Sequence, residues 1–284
     1  MALIKDIDET QAPLLDHLIE LRKRLVRCVV ALAVAFAVCL YFADDIFSLL
    51  VRPLAQAFPN GDGKLIYTKL YEAFFVEVKV ALFAAFLVSF PVIANQLWAF
   101  VAPGLYAREK KAFLPFLLAT PVLFAAGAAL AYFVVMPKAF PWFLGFAGEA
   151  GGLKIEALPA MGEYLDLTMH FIIAFGISFL LPVLLLLLNR AGIVSREQLT
   201  RARRYVIVGI FIVAAVATPP DVVSQLILAI PLMLLFEGSL LLMRSRKKMD
   251  EQKAAREAEE KAAEEQLAAE KAAAAGAETP ETSR

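Results

Sequence analysis

The chain has 284 residues, 60% of them hydrophobic, and a mean hydropathy of +0.68. A soluble domain carries about 45–50% apolar residues, and here residues 1–24 and 244–284 are polar, so the middle is far more apolar than the mean and an ordinary soluble domain is excluded. Lys plus Arg and Asp plus Glu both number 28, which leaves no basic excess for nucleic acid.

Charged side chains are costly in hydrocarbon, so the gaps between them locate membrane spans. Charge is absent from Arg27 to Asp44, Lys79 to Arg108, Lys111 to Lys138 and Asp166 to Arg190. Two shorter gaps follow, Arg204 to Asp221 and Asp221 to Glu237, with apolar sequence continuing to Met243. Six helices are predicted, within a transmembrane domain spanning 25–243. A span needs about 20 residues. The fifth, Tyr205 to Thr218, would be about 21 Å long, and the sixth is also expected to be short, so the bilayer thins there or the helix ends lie below its surface. The first segment reads as a retained span, because Ala43-Asp44-Asp45 offers no small-x-small cleavage site. Cys28 and Cys39 both fall in it, about 16 Å apart along a helix, too far for a disulfide. Prolines 91, 103, 115, 121, 137, 182 and 231 lie in or beside spans. They either kink the helices into an open bundle or are simply tolerated, as membrane helices allow. Residues 244–284 form a charged Ala/Glu/Lys-rich tail without an apolar stripe, read as a solvated helix or disordered.

Loop charges give the orientation. Basic residues collect before span one (Arg22, Lys23, Arg24, Arg27), between spans two and three (Arg108, Lys110, Lys111), between four and five (Arg190, Arg196, Arg201, Arg203, Arg204) and after six (Arg244, Arg246, Lys247, Lys248). The intervening loops mix fewer cations with acids. Both termini are therefore predicted to be cytoplasmic. Reporter fusions after Arg108 and Arg196 are expected to read cytoplasmic, and those after Asn60 and Gly151 outside. A cytoplasmic signal at Gly151 contradicts the arrangement.

Several chemistries find no residues to carry them. There is no P-loop and no H-E-x-x-H motif. His17 and His170 stand apart, so neither a metal nor another cofactor is expected. An intramembrane serine protease fails too, because His170 and Ser178 would lie about 12 Å apart on one helix. A proton- or ion-coupled small-molecule transporter is the rival class. It needs acids near the bilayer midplane, and Glu237 is the one acid well inside an apolar run.

Four segments carry a family resemblance: His17-Leu18-Ile19-Glu20-Leu21-Arg22-Lys23-Arg24-Leu25; Trp98-Ala99-Phe100-Val101-Ala102-Pro103-Gly104-Leu105-Tyr106 with Glu109-Lys110-Lys111; Ala131-Tyr132-Phe133-Val134-Val135-Met136-Pro137; and Thr218-Pro219-Pro220-Asp221-Val222-Val223-Ser224-Gln225. With six spans and a cytoplasmic N-terminus, the chain resembles the TatC family over roughly residues 14–243. That family is the multi-spanning subunit of the twin-arginine protein translocase. The resemblance implies a non-enzymatic, all-α, multi-pass protein of the bacterial cytoplasmic membrane. It implies a receptor for the paired-arginine signal peptides of folded precursors. Single-span TatA- and TatB-type partners would join it, as a homo-oligomer within a hetero-complex driven by the proton-motive force.

The resemblance puts the signal-peptide site at Glu20 and Glu109, with Leu21, Arg22 and Phe100 beside them. Carboxylates suit this work, since they accept planar guanidinium groups in bidentate fashion. The alternative for Glu20 is an i,i+4 pair with Arg24, worth about 0.2–1 kcal/mol if exposed. Trp98 reads as a member of the interfacial aromatic belt. Partner docking is expected at Pro219, Pro220, Asp221 and Gln225. There Thr218 and Asp221 would cap helix six, and Gln225 would face outward to a partner's span. One departure stands out. The family tends to carry a polar residue shortly before the span-four proline, and here Leu180 and Leu181 precede Pro182. Thr168, His170 and Ser178 are the nearest polar substitutes.

Overall fold

A computed structural model describes residues 5–58, 63–105, 114–190, 192–218 and 222–244, almost all of them helical. Five helical stretches are long and apolar enough to cross a membrane: Leu18–Tyr41, Glu72–Phe100, Phe116–Leu144, Met161–Arg190 and Val222–Arg244. A shorter apolar helix, Arg203–Ala217, lies between the last two.

Helix α1, Lys5–Tyr41, runs unbroken through the boundary expected at residue 24. It packs along α3, Glu72–Leu105, through a seam of small residues in which Cys39, joined by Ala43 just beyond the end of α1, meets Ala81, Ala84 and Ala85. Small side chains let two backbones approach closely, which is how helices associate where lipid removes the hydrophobic incentive. Only 6% of the α1 span is buried, so the face carrying Leu25, Val29 and Val34 is left for lipid.

Helix α2, Ala43–Ala57, is amphipathic and escaped the charge-gap reading because Asp44, Asp45 and Arg52 interrupt it. The two acids sit in its first turn, where the helix dipole favours them. Leu50, Pro53, Leu54 and Ala57 face the core. Pro53 has no amide hydrogen, so the Leu49 carbonyl four residues back loses its helical donor. The Tyr132 hydroxyl donates to that carbonyl at 2.6 Å, and the Tyr164 hydroxyl donates to the adjacent Leu50 carbonyl at 2.6 Å. Two tyrosines from other helices thus satisfy the proline-disturbed turn.

The third span is α4, Leu114–Leu130, then a π-turn at Ala131–Val135, then α5, Met136–Leu144. The Met136 amide reaches back five residues to the Ala131 carbonyl. Pro137 follows, and its ring would crowd the Phe133 carbonyl of a regular helix. The wider turn relieves that crowding. α5 lies against α2. Beyond it, β1 (Gly148–Ala150) and β2 (Leu153–Ile155) form an antiparallel hairpin. Gly151 and Gly152 make its turn with φ of 61° and 82°, the left-handed pair that a two-residue hairpin needs. This short sheet is an addition to the all-α expectation. The Gly-Gly pair was its only sequence signal.

Helix α6, Met161–Ser178, crosses α4 where glycines meet. A Cβ on Gly127 would lie 2.4 Å from the Phe175 carbonyl oxygen, and one on Gly176 would lie 2.6 Å from the Phe124 ring. α6 then breaks at Phe179 and Leu180, and α7, Leu181–Arg190, begins with Pro182 in its first turn. This is a proline kink of the expected kind. The core gathers Phe171, Phe175, Leu165, Met136, Leu228 and Phe236.

Helix α8, Arg196–Arg201, is fixed by a reciprocal capping box between Ser195 and Gln198. α9, Arg203–Ala217, is 15 residues, or about 22 Å, and is the short fifth span expected. The sixth span corrects the expectation. α10, Val222–Arg244, has 23 residues, about 34 Å, enough to cross. The helix continues past Glu237 because that carboxylate is paired: Arg203 donates to it at 2.8 Å.

Candidate functional site

The signal-peptide residues expected on α1 lie at the start of its membrane span, Leu18–Tyr41, at the end of the bundle where the basic loops gather. A continuous helix carries Glu20, Leu21 and Arg22 on successive 100° steps, so they point in different directions. Leu21 and Arg22 are exposed. The Glu20 carboxylate accepts from Arg24 Nε at 3.0 Å, with a second, closer contact to the same guanidinium. Glu20 therefore forms the i,i+4 pair with Arg24. The side chain is 38% exposed and reachable, yet already held by an arginine that is itself 19% exposed. Phe100, near the opposite terminus of α3, is half-buried. Glu109 and Tyr106 lie outside the described residues.

At the other expected site, Pro219, Pro220 and Asp221 also lie outside the described residues. Their neighbours correct the expectation for Gln225 and give Thr218 a further role, while the cap expected from Thr218 and Asp221 falls on residues outside those described. Thr218 closes α9: its amide and its hydroxyl both donate to the Ala214 carbonyl, at 2.9 and 2.8 Å. Gln225 is half-buried rather than turned fully outward, and its amide donates to the Phe211 carbonyl of α9 at 3.3 Å. A polar group in an apolar setting takes the nearest acceptor, and α9 supplies it before any partner arrives. The surface exposed along this helix pair is apolar, with Ile212 and Val216 on α9 and Val222 and Leu226 on α10.

Sequence reasoning missed several polar ties. Glu72, at the start of α3, accepts from the Thr68 amide (2.8 Å), the Thr68 hydroxyl (3.2 Å), the Lys69 amide (3.3 Å) and the Gly162 amide of α6 (3.0 Å). Two turns further along α3, Lys79 donates to Asp166 of α6 at 2.8 Å. A short backbone bridge joins Ile66 to Ala160 beside them. These ties clamp α3 to α6 at the end of the bundle away from the basic loops. Trp98 is also more than a belt residue, since its indole N–H donates to the Thr120 hydroxyl of α4 at 2.7 Å. Of the polar residues near the span-four proline, Thr168 is fully buried, Ser178 half-buried and His170 exposed. Glu237, the acid on which a transporter reading depends, serves as a tie between α10 and α9.

Known proteins agree with this architecture. The family model described as Sec-independent protein translocase protein (TatC) matches residues 16–231. A relative of that name from Magnetococcus marinus is 51% identical over 231 residues, covering 81% of this chain and 83% of its own. One from Escherichia coli K12 is 43% identical over 231 residues, covering 81% and 87%. A crystal structure titled as the twin arginine translocase receptor TatC in DDM superposes with a TM-score of 0.67 at 38% identity, covering 80% of this chain and 98% of that one. The six apolar helices, the π-turn in the third motif and these matches lead to one assignment: the chain belongs to the TatC family of Sec-independent protein translocases, as a multi-pass membrane protein and a non-enzymatic transport subunit.

Proposed function

We propose that the chain is the signal-peptide receptor of a twin-arginine export system, binding precursors at its basic end and recruiting single-span TatA- and TatB-type partners. The observation that carries the reading is the Glu20 carboxylate, reachable from solvent and already complexed to a guanidinium by Arg24. An incoming arginine pair exchanges one guanidinium for another, with little change in desolvation. Glu109 supplies the second carboxylate, with Leu21, Arg22 and Phe100 shaping the surface between. Partner spans dock on the apolar edge of α9 and α10, next to Pro219, Pro220 and Asp221. Gln225 contributes there through its position, because one of its amide hydrogens is engaged with Phe211. The small-molecule transporter reading loses its residue, since Glu237 is paired with Arg203.

The test is photo-crosslinking of a twin-arginine precursor to the purified protein, with a Lys-Lys signal peptide as control. Glu20→Ala with Glu109→Ala is expected to weaken binding by about 2 kcal/mol, the low end for truncating a charged pair at an interface, because Glu20 is partly exposed. The fold should survive. Unchanged crosslinking in the double variant, or equal crosslinking of the Lys-Lys peptide, removes the assignment.

A further inference from the structure

We infer that a groove between α4, α7 and α10 is a binding site for one anionic phospholipid. The groove encloses about 330 Å³, within the size range of ligand pockets. Its walls include Phe116 and Leu123 of α4, Val183 and Leu186 of α7, and Leu235 and Leu242 of α10. Its one hydroxyl, on Ser239, is turned away, donating to the Leu235 carbonyl of its own helix at 2.8 Å. The interior therefore offers nothing to a polar ligand and suits an acyl chain.

The rim is cationic. Arg190 ends α7, with its guanidinium carbon 6.0 Å from the centroid of the Phe116 ring, which is part of the groove wall. Arg196 is drawn over α10 by donation from Nε to the Leu240 carbonyl at 3.3 Å. The acid nearest in sequence on α10, Glu237, has its charge met by Arg203. A phosphate at the headgroup level with its chain below satisfies both halves of the site, as basic pockets between membrane helices do for acidic lipids. The same charge argues against the other apolar occupant of interest, because a signal peptide carrying two arginines meets a rim of its own sign.

The structure also supplies the probe and the plug. Trp98 packs against the Phe116, Val183 and Leu187 cluster beside the groove, and Trp142 is the only other tryptophan. At Gly238, on the groove wall, an added Cβ meets nothing within 4 Å, so a larger side chain enters empty space. The experiment reconstitutes the full chain, as Trp142→Phe, into phosphatidylcholine vesicles containing a fixed fraction of chain-brominated phosphatidylglycerol or chain-brominated phosphatidylcholine. Trp98 quenching is then read. Brominated phosphatidylglycerol is expected to quench several-fold more strongly at equal fraction. Gly238→Leu should reduce quenching by both lipids to a common low level. Arg190→Gln with Arg196→Gln should keep the quenching but erase the preference for phosphatidylglycerol. Equal quenching by the two lipids before any rim substitution overturns the proposal. So does relief of quenching in both lipids on adding a twin-arginine peptide, which would assign the groove to peptide.

Discussion

Leucine at Gly127 is expected to cost the protein much of its fold. The glycine sits where α4 crosses α6, and even a methyl there would lie 2.4 Å from the Phe175 carbonyl oxygen. Ordinary contact begins near 3.5 Å, so alanine alone must push the helices apart by about 1 Å. The obstacle is backbone and cannot rotate aside. Phe124 covers Gly176 one step along the same crossing and stacks on Phe90 at 3.8 Å, so the displacement spreads into α3. Overpacking usually costs about 1–3 kcal/mol, and a backbone collision at a helix crossing belongs at the top of that range or above. Gly209→Leu on α9 is the control, because a Cβ there meets nothing within 4 Å. Monodispersity in detergent after mild heating should fall sharply for Gly127→Leu and stay near the parent for Gly209→Leu. Equal survival of the two variants refutes the close crossing.

Removing both hydroxyls, as Tyr132→Phe with Tyr164→Phe, is expected to be the second-largest loss. Each hydroxyl answers a carbonyl in the turn that Pro53 disturbs, and water is scarce at Tyr164, which is 5% exposed. A buried acceptor left without a donor costs about 1–3 kcal/mol. The single variants should fall short of the double, and the double should free α2 from the bundle. Thermal unfolding in detergent measures the loss, and hydrogen exchange at residues 49–57 reports where it occurs. If Pro53→Ala restores stability to the double variant by returning an amide donor to Leu49, the tyrosines are there for the proline. If it does not, the account of the Pro53 turn is wrong.

Charge gaps found the long spans because desolvating a charge in hydrocarbon is among the largest single-residue terms a membrane chain faces. They failed where a charge is compensated. α3 begins at Glu72, well before the gap that opens at Lys79, and there Glu72 and Lys79 are both engaged by α6 while Glu77 between them is exposed. α10 runs through Glu237 because Arg203 reaches it. Pairing across helices is tertiary information, invisible to a one-dimensional scan. α8 was legible and passed over: Ser195-Arg196-Glu197-Gln198 is a capping-box signature. At the candidate site, Glu20 and its partner Arg24 could be read directly from their i,i+4 spacing. The direction Gln225 takes could not, since it depends on how close the Phe211 carbonyl comes.

The π-turn at Ala131–Val135 amounts to one residue more than a regular helix would use over the same rise. Each residue turns an α-helix by about 100°. A surplus residue taken up in this way leaves the helices on either side in the register they would keep without it. Deleting one residue from this stretch would therefore join α4 and α5 as a smooth helix with Ala139 and Phe140 still turned to the core, whereas one residue added to the regular part of α4 would rotate both off it by about 100°. Among homologous chains a one-residue length change should therefore be accepted at this turn more readily than in the regular helix on either side of it.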